Sequence, residues 1–276
     1  MKIQEIEDIL TSSGIEKREA VIEVKMMIEH YCNYSAMDLI MGKRLDYEKL
    51  KIVYEKAKLR AETKQPIQYI IGHANFMHHN YKVTKDVLIP RDETELLIDD
   101  AIDLIREKGY KNVLDIGTGS GCISCEIAYN TDCRVLGVDI SSDALRIALE
   151  NSASLGLENK AVFRKSDIYS NIREDEKFDL IISNPPYIPK GTQLQKEVTF
   201  EPELALFTED KDGVEFYQKI IKDAKKYLNK EGTIMFEIGI NQSPLVKDML
   251  EQAEFKHIVI EKDLAGIDRV ITALNV

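Results

Sequence analysis

The sequence predicts an α/β fold built around a mostly parallel sheet. From Glu93 onward, apolar runs of strand length alternate with segments in which apolar residues recur every three or four positions. This alternation is typical of a sheet covered by helices on both faces. The final two strand-like runs have no helical pattern between them, so we expect them to pair antiparallel at the sheet edge.

The elements of this part follow from the same alternation. The predicted helices span residues 93–108, 122–129, 141–155, 213–228 and 242–252. The seven predicted strands span residues 112–116, 134–139, 161–165, 178–183, 233–237, 256–261 and 269–274.

The N-terminal part predicts a small helical bundle. Three stretches carry apolar residues at helical spacing, and each would bury one face. Residues 12–14 (Ser-Ser-Gly) separate the first helix from the second. Asp46 is a candidate N-cap for the third helix, and Pro66 ends the bundle. The apolar residues are Ile3, Ile6, Ile9 and Leu10; Val21, Val24, Met27, Ile28 and Tyr31; and Leu50, Val53, Tyr54 and Ala57.

A β-hairpin is predicted between the bundle and the sheet. The stretch from Tyr69 to Val87 is rich in strand-forming residues around residues 72–75 and 79–80. We therefore expect an N-terminal helical domain (1–65), a linker with the hairpin (66–90) and a main domain (91–276).

Composition and charge narrow the class of protein. The 276 residues are 44% hydrophobic, enough for a sizeable core, and no stretch approaches the roughly 18 uncharged apolar residues of a membrane span. The N-terminus carries charges where a signal peptide is apolar, so we expect a cytoplasmic protein with no membrane partner. The net charge of −11 falls entirely after residue 65, which argues against direct nucleic-acid binding. The basic stretch 43–64 is either a solvated helix face or a docking surface.

Cysteine and histidine give no sign of a metal site. Cys122 and Cys125 form a C-x-x-C without a second ligand pair, and we interpret both as small buried residues of one helix. We interpret His78 and His79 as polar surface residues of the hairpin. No metal is expected.

Three glycines lie where a predicted strand meets a predicted helix, in residues 113–124 (VLDIGTGSGCIS). Glycines there allow a close backbone approach to a ligand, although a plain tight turn is the alternative. The G-x-G-x-G spacing departs from the dinucleotide pattern. Asp115 would repel a pyrophosphate but suits a ligand with positive charge, such as S-adenosylmethionine, which carries a sulfonium and an ammonium.

Two further strand ends extend this candidate cofactor site. Asp139 ends the next strand and can accept hydrogen bonds from both ribose hydroxyls, or serve only as the N-cap of the following helix. Asp167 and Ile168 follow the third strand, where an adenine ring would lie, and Asp167 is equally a turn former.

The fourth strand ends in the segment SNPPYIP, residues 183–189. Pro185 and Pro186 make a rigid corner, and the Pro185 carbonyl stays free to accept a hydrogen bond. The Asn184 side-chain oxygen is a second acceptor, and Tyr187 offers a flat face to a planar group. Two fixed acceptors suit an NH2 group, whose lone pair they would turn toward a methyl donor. The alternative is a rigid turn that only ends a strand.

These residues resemble a known family. Residues 115–121 with 184–187 are similar to the S-adenosylmethionine-dependent methyltransferases that act on amino groups. The segments PIQYIIGHANF, VLIPRDETELLI, FEPELAL, FEIGINQ and DLAGIDRV, between Pro66 and Val270, resemble the peptide chain release factor N5-glutamine methyltransferases. The sequence departs from that family at Asp92, Phe200 and Ile168, which bears on the local shape of the site.

The resemblance implies a Rossmann-like class I methyltransferase fold, with a seven-stranded sheet and an antiparallel edge strand. It implies S-adenosyl-L-methionine as cofactor, S-adenosyl-L-homocysteine as product, and class 1 peptide chain release factors as protein partners, modified at the glutamine of a Gly-Gly-Gln loop. The helical domain would help to dock that substrate. The implied cofactor contacts are Asp115, Gly117, Thr118, Gly119, Ser120, Gly121, Asp139, Asp167, Ile168 and Asn184, and the implied catalytic and substrate contacts are Asn184, Pro185, Pro186 and Tyr187.

Arg91 and Thr94 complete the predicted substrate site. With Glu93 they lie between the hairpin and the sheet, where they either shape the pocket or serve in capping and ion pairing. Two other functions stay open at this point: a nucleic-acid amino methyltransferase, acting on adenine N6 or guanine N2, and a cofactor-binding scaffold without activity.

Overall fold

The structure, a computed structural model, describes residues 2–43 and 45–276. The chain divides into two compact units. The first contains the chain up to His73 together with Leu194–Phe200, and the second contains Ala74–Gln193 and Glu201–Val276. The division at residues 65 and 90 stays a prediction.

The first unit is helical, as the sequence predicts. Buried residues Ile6, Val24 and Val53 come from its three main helices and share one core. Asp46 caps the third of these, because its carboxylate accepts a hydrogen bond from Glu48 N at 2.8 Å. Its helices are α1 (Ile3–Ser12), α2 (Lys17–Cys32), α3 (Ala36–Ile40), α4 (Tyr47–Thr63) and α5 (Ile67–Ile71).

Two details of this unit differ from the prediction. Val21, assigned to the buried stripe, is 42% exposed. The stretch that begins near Tyr69 was expected to be extended, but it is helical in α5. Pro66 provides the N-cap residue and Gly72, with φ of +82°, ends the helix in the left-handed region. A run of five mostly apolar residues cannot be assigned to strand or helix by periodicity alone.

A buried charge cluster joins two helices and the inserted segment of the first unit. Arg60 of α4, 2% exposed, donates to the carboxylate of Glu23 on α2 at 2.8 to 3.1 Å. Its Nη2 also donates to Glu197 at 2.9 Å. Burial is the main reason that the pKa of Glu23 is raised. Removing one partner from such a cluster leaves an uncompensated buried charge.

The second unit contains the hairpin and the α/β sheet. Most of the observed bounds match the predicted ones within one or two residues. The helices are α6 (Glu93–Lys108), α7 (Cys122–Asn130), α8 (Ser142–Ser154), α9 (Glu203–Leu206), α10 (Glu215–Tyr227) and α11 (Ser243–Gln252). The strands are β1 (His73–Phe76), β2 (His79–Lys82), β3 (Asn112–Ile116), β4 (Arg134–Asp139), β5 (Ala161–Lys165), β6 (Phe178–Ser183), β7 (Ile188–Pro189), β8 (Phe207–Thr208), β9 (Leu228–Glu237), β10 (Lys256–Lys262) and β11 (Asp268–Leu274).

The main sheet has seven strands in the order β10-β11-β9-β6-β3-β4-β5. Strands β9, β6, β3, β4 and β5 are parallel, whereas β11 runs antiparallel to both β9 and β10 at one edge. The predicted fold class is confirmed. Strands β3 and β6 are neighbours at the centre of the sheet. After β3 the chain adds β4 and β5 on one side, and after β6 it adds β9 and the remaining strands on the other side. The carboxyl ends of β3 and β6 therefore border the crevice where open α/β sheets bind ligands.

Alternating side chains of the central strands cover both faces of the sheet. Leu114 and Ile181 pack with helices α10 and α11 in one core cluster, whereas Val113 and Leu180 pack with α6 and α7 in the other. This two-sided burial gives the central strands their nearly continuous apolar sequences. Among the described helices, none is long and apolar enough to cross a membrane.

The cysteines and His79 show how the hairpin and α7 pack. Cys122 and Cys125 are buried and unpaired in α7, as predicted, and burial raises the pKa of each thiol. His79 differs from the prediction, because its ring is largely buried. Its Nδ1 lies 2.8 Å from the buried Glu126 carboxylate, which also accepts a hydrogen bond from Tyr81.

Candidate active site

The glycine turn joins β3 to α7 in a conformation that favours glycine. Gly117, Gly119 and Gly121 all have positive φ, between +55° and +81°. At Gly121 a Cβ would also lie 2.9 Å from the Cβ of Ala148. The turn is tied to β4, because the Gly117 and Thr118 amides donate to one carbonyl, that of Val138. Backbone conformation therefore favours glycine at all three positions, and limited space requires it at Gly121 as well.

Asp115 lies beneath this turn and is fully buried. Its Oδ2 accepts hydrogen bonds from the hydroxyls of Thr118 and Ser124, each at 2.6 Å. Its Oδ1 has no hydrogen-bond partner among the described residues. Burial is the main cause that raises the pKa of Asp115 to about 6. Asp115 thus holds the turn from below and does not itself line the cavity.

Asp139, at the end of β4, connects the turn to the next helix. One carboxylate oxygen accepts from Gly119 N at 2.9 Å and the other from Ser141 N at 2.8 Å. Ser141 is the N-cap of α8, because its hydroxyl accepts from Ala144 N. Asp139 is therefore not the helix cap. Each of its oxygens keeps lone pairs for a further donor.

A cavity opens at the carboxyl ends of β3, β4, β5 and β6. Its charged lining residues are acidic: Asp86, Asp139 and Asp167 contribute, and among the described residues no lysine or arginine lines it. An anionic ligand would be repelled there, whereas a cation would be attracted. The predicted residues that line the cavity are Gly117, Gly119, Asp139, Asp167, Ile168, Asn184, Pro185 and Pro186.

Ile168 lies in this wall with φ of +51°, an unusual value for a β-branched residue. The surrounding turn holds it there. The Ser166 hydroxyl donates to the Ile168 carbonyl at 2.8 Å and accepts from Asn171 N at 3.0 Å. Such backbone strain costs about 1–3 kcal/mol and is found most often at binding sites.

The proline corner follows β6 directly beside the glycine turn. The Ser183 hydroxyl donates to the Ile116 carbonyl at 2.6 Å, which joins the ends of the two central strands. Asn184 and Pro185 line the cavity. Within the described chain, neither Asn184 Oδ1 nor the Pro185 carbonyl accepts a hydrogen bond. The two predicted acceptors are thus both available to a ligand.

Two side chains that the sequence analysis did not single out hold the corner. Glu237, at the end of β9, accepts from Asn184 Nδ2 at 2.8 Å. Gln242 donates to the Tyr187 carbonyl at 2.9 Å. Both belong to FEIGINQ, and the one available signal was a glutamate at the end of a buried strand. Their partners lie more than 50 residues away along the chain, so no local pattern identifies them.

The remaining predicted substrate residues are placed as follows. Arg91 pairs with the buried carboxylate of Glu201, so the ion-pair interpretation describes its contact. Thr94 is buried and contacts Asn184. The Tyr187 hydroxyl lies 3.5 Å from Glu237 Oε1. None of these three lines the cavity, nor do Thr118, Ser120 and Gly121, and any direct contact with a ligand stays a prediction.

The donor set fits S-adenosylmethionine. The acidic lining matches a ligand with two positive charges, and the unpartnered Oδ1 of Asp115 adds buried negative potential close to the turn. Asp139 offers free lone pairs for the ribose hydroxyls. In the part of the chain that is described, no group of three or more histidine, cysteine or acidic side chains is arranged to hold a metal ion.

Comparisons with known proteins find a family model and relatives that match this chain. Residues 107–270 match the family model described as a methyltransferase domain. The chain is 39% identical to the release factor glutamine methyltransferase of Fusobacterium nucleatum, over 87% of this chain and 69% of that protein. It is 33% identical to the release factor glutamine methyltransferase of Bacteroides thetaiotaomicron, over 98% of this chain and 96% of that protein.

A solved structure supports the fold. The ribosomal protein L11 methylase of Lactobacillus delbrueckii subsp. bulgaricus aligns with a TM-score of 0.51 at 22% identity. The alignment covers 70% of this chain and 82% of that chain. At this level of identity the likeness supports the class of fold alone.

Proposed function

The chain belongs to the release factor glutamine methyltransferase family, and from that premise we propose the reaction of its cavity and proline corner. The enzyme transfers a methyl group from S-adenosyl-L-methionine to the side-chain amide nitrogen, N5, of a glutamine. The substrate is the Gly-Gly-Gln motif of a class 1 peptide chain release factor. The products are the N5-methylated glutamine, S-adenosyl-L-homocysteine and the proton that leaves N5.

The observation that carries this proposal is the pair of free acceptors at the corner. Asn184 Oδ1 and the Pro185 carbonyl lie on cavity-lining residues, and no hydrogen bond from the described residues occupies either of them. A primary amide has two N–H donors on one nitrogen. Two rigidly held acceptors match that group and do not match a hydroxyl or a secondary amide.

The cofactor would be held by the glycine turn and the ends of the neighbouring strands. Asp139 would accept hydrogen bonds from the ribose hydroxyls, Ile168 would pack against the adenine, and Gly117 and Gly119 would allow the backbone to approach closely. When bound, S-adenosylmethionine supplies a methyl group on a positively charged sulfur. The acidic cavity lining stabilises that charge.

The corner overcomes the low reactivity of an amide nitrogen. Conjugation with the carbonyl delocalises the nitrogen lone pair. The strength of this conjugation is reflected in the peptide rotation barrier of roughly 18–20 kcal/mol. Asn184 and Pro185 hold both N–H groups in a fixed direction, which turns the lone pair toward the methyl group. Alignment of two reactants can contribute about 7–11 kcal/mol in favourable cases.

The helical residues 1–65 would dock the protein substrate. Met37, Ile40 and Met41 expose between 61% and 79% of their surface, and such exposed apolar side chains are suited to a protein partner. The basic stretch 43–64 follows them directly and would complement an acidic surface. The reaction belongs to the cytoplasm, where release factors terminate translation.

Transfer of labelled methyl tests the assignment. Purified enzyme with labelled S-adenosylmethionine should label a class 1 release factor, and replacement of the loop glutamine in that factor should abolish the label. DNA and ribosomal RNA serve as control substrates and should stay unlabelled at every salt concentration. Label at another residue of the factor, or on nucleic acid, would contradict the proposed substrate.

A further inference from the structure

The amide of Asn184 has its nitrogen end occupied by two buried acceptors. Nδ2 donates to Glu237 Oε2 at 2.8 Å and to Thr94 Oγ1 at 3.2 Å. Thr94 in turn donates to the same Glu237 oxygen at 2.6 Å. Glu237 and Thr94 are 1% and 3% exposed, respectively, so water does not replace these contacts readily.

We propose that Glu237 and Thr94 form a positioning pair that fixes which end of the Asn184 amide faces the substrate. The inference rests on the proposed function, in which Asn184 must present its oxygen to an incoming NH2 group. It assigns a role to two residues that do not line the cavity and do not touch the reacting atoms.

The need for such a pair follows from the shape of an asparagine side chain. Its oxygen and its NH2 group are nearly equal in size, and rotation about the terminal torsion exchanges them within a broad energy minimum. Turned the wrong way, Asn184 would direct two donors at a substrate group that is itself a donor. The productive orientation therefore has to be selected by the surrounding protein.

The hydrogen-bond directions select only one orientation. An ionised carboxylate accepts hydrogen bonds and cannot donate them. The single hydroxyl proton of Thr94 is used toward Glu237, so Thr94 Oγ1 can only accept from Asn184. The Asn184 nitrogen then has two acceptors within hydrogen-bond distance and no donor opposite it. In the opposite orientation, Oδ1 would meet two acceptors, with the cost of unpaired buried polar atoms.

The negative charge of Glu237 maintains this orientation of the Asn184 amide. Burial, the largest cause, raises the pKa of Glu237 to about 7, while the hydrogen bond from Thr94 lowers it. The other charged groups that act on it are Arg269 of β11, which lowers the pKa, and Glu93 of α6, which raises it. The Tyr187 hydroxyl faces its second oxygen. A protonated Glu237 can donate, so both orientations of Asn184 become tolerable and turnover falls as the pH drops below about 7.

The variant Glu237→Gln keeps the size of the side chain but removes its negative charge. The glutamine NH2 group can also donate a hydrogen bond, so it no longer selects one orientation of Asn184. We expect kcat to fall about 10- to 100-fold, the range for a lost hydrogen bond to a charged group. The loss of rate below about pH 7 should disappear. Affinity for S-adenosylmethionine, measured by calorimetry, should change less than threefold.

Glu126→Gln is the matched control, because Glu126 is another carboxylate in the same unit that is 1% exposed and hydrogen-bonded. Any general cost of neutralising a buried glutamate appears in both variants, whereas the change in kcat and in its pH dependence should appear only at Glu237. Thr94→Val should lower kcat about tenfold. Thr94→Ser, which restores the hydroxyl, should recover most of that loss.

Side-chain NMR tests the pair without activity. With asparagine labelled at its side-chain nitrogen, the Asn184 NH2 signal should shift with a midpoint near pH 7 in the wild type and should not titrate in Glu237→Gln. If wild-type enzyme fails to methylate a release factor, the proposed function is wrong, and this titration still decides the positioning pair. An Asn184 NH2 chemical shift that does not change with pH in the wild type would overturn the inference. A Glu237→Gln enzyme with wild-type kcat and pH profile would overturn it as well. So would a loss of rate that is matched by equal loss in Glu126→Gln.

Discussion

The side-chain amide of Gln242 holds the backbone of Tyr187. Its Nε2 donates to the Tyr187 carbonyl at 2.9 Å and to the carbonyls of Asp212 and Gly213 at 3.0 and 3.1 Å. Its Oε1 accepts from Gly239 N at 2.9 Å. One buried side chain thus joins the proline corner, the start of the α10 segment and the turn after β9.

Gln242→Leu should destabilise the protein and slow turnover together. The substitution keeps the volume but leaves buried carbonyls and one amide unpaired, at about 1–3 kcal/mol for each unsatisfied group. Urea-induced unfolding measures the free energy and the methyl-transfer assay measures kcat. The control is Gln252→Leu, at an exposed position at the end of α11. Equal stability of the two variants would show that Gln242 does not hold the corner.

Gly121→Ala tests whether the glycine turn needs both its conformation and its space. The residue has φ of +81° and the new Cβ would lie 2.9 Å from that of Ala148. The left-handed conformation costs about 1–2 kcal/mol in a non-glycine residue, and overpacking adds about 1–3 kcal/mol. Gly156→Ala is the control, since φ is +69° but no atom lies within 4 Å. Only Gly121→Ala should weaken S-adenosylmethionine binding in calorimetry; equal effects of the two variants would contradict the space requirement.

Arg60→Met should unfold the helical unit more easily. The change leaves Glu23 buried without its cation, and loss of one partner of a buried ion pair costs about 3–5 kcal/mol. Urea-induced unfolding followed by circular dichroism gives the free energy. Lys58→Met, on an exposed part of α4, should change it by less than about 0.5 kcal/mol. An unchanged Arg60→Met protein would show that the cluster contributes no net stability.

The ion pair of Arg164 and Glu176 should make stability depend on pH in the acid range. Two hydrogen bonds, at 2.7 and 2.8 Å, lower the pKa of Glu176 from 4.5 to about 2, with the Arg164 side chain as the main cause. A depressed folded-state pKa contributes stability that is complete above the unfolded value and is lost as the pH falls toward 2. Glu176→Gln should therefore be about 2 kcal/mol less stable than the wild type at pH 7, and most of that difference should be gone near pH 2. A difference between the two proteins that is the same at both pH values would refute this linkage.

The central strands could be predicted from the sequence because they are buried on both faces. Strands β3 and β6 have nearly continuous apolar sequences, and their observed bounds equal the predicted ones. Strand β9 begins at Leu228, five residues before the predicted start. The intervening residues are polar and include Glu231 with positive φ, so nothing in the local pattern indicates a strand.

In the site, too, residues that belong to short motifs could be predicted, whereas residues that depend on contacts distant along the chain could not. The glycine turn, Asp139 and Asn184 carry short motifs, and the structure brings them to one cavity. Glu237 and Thr94 could not be assigned to Asn184, since their contacts join parts of the chain that are 53 and 90 residues apart. The pairing of β6 with β9 and the packing of α6 against β9 bring these residues together.

The most direct test of the account is single-turnover methyl transfer to a class 1 release factor by Asn184→Ala, compared with the wild type. Removal of a preorganised hydrogen-bonding group typically costs about 100- to 1,000-fold in the chemical step. We expect a loss in that range at saturating cofactor, together with weaker cofactor binding. A variant that transfers the methyl group at the wild-type rate would contradict the role of the proline corner.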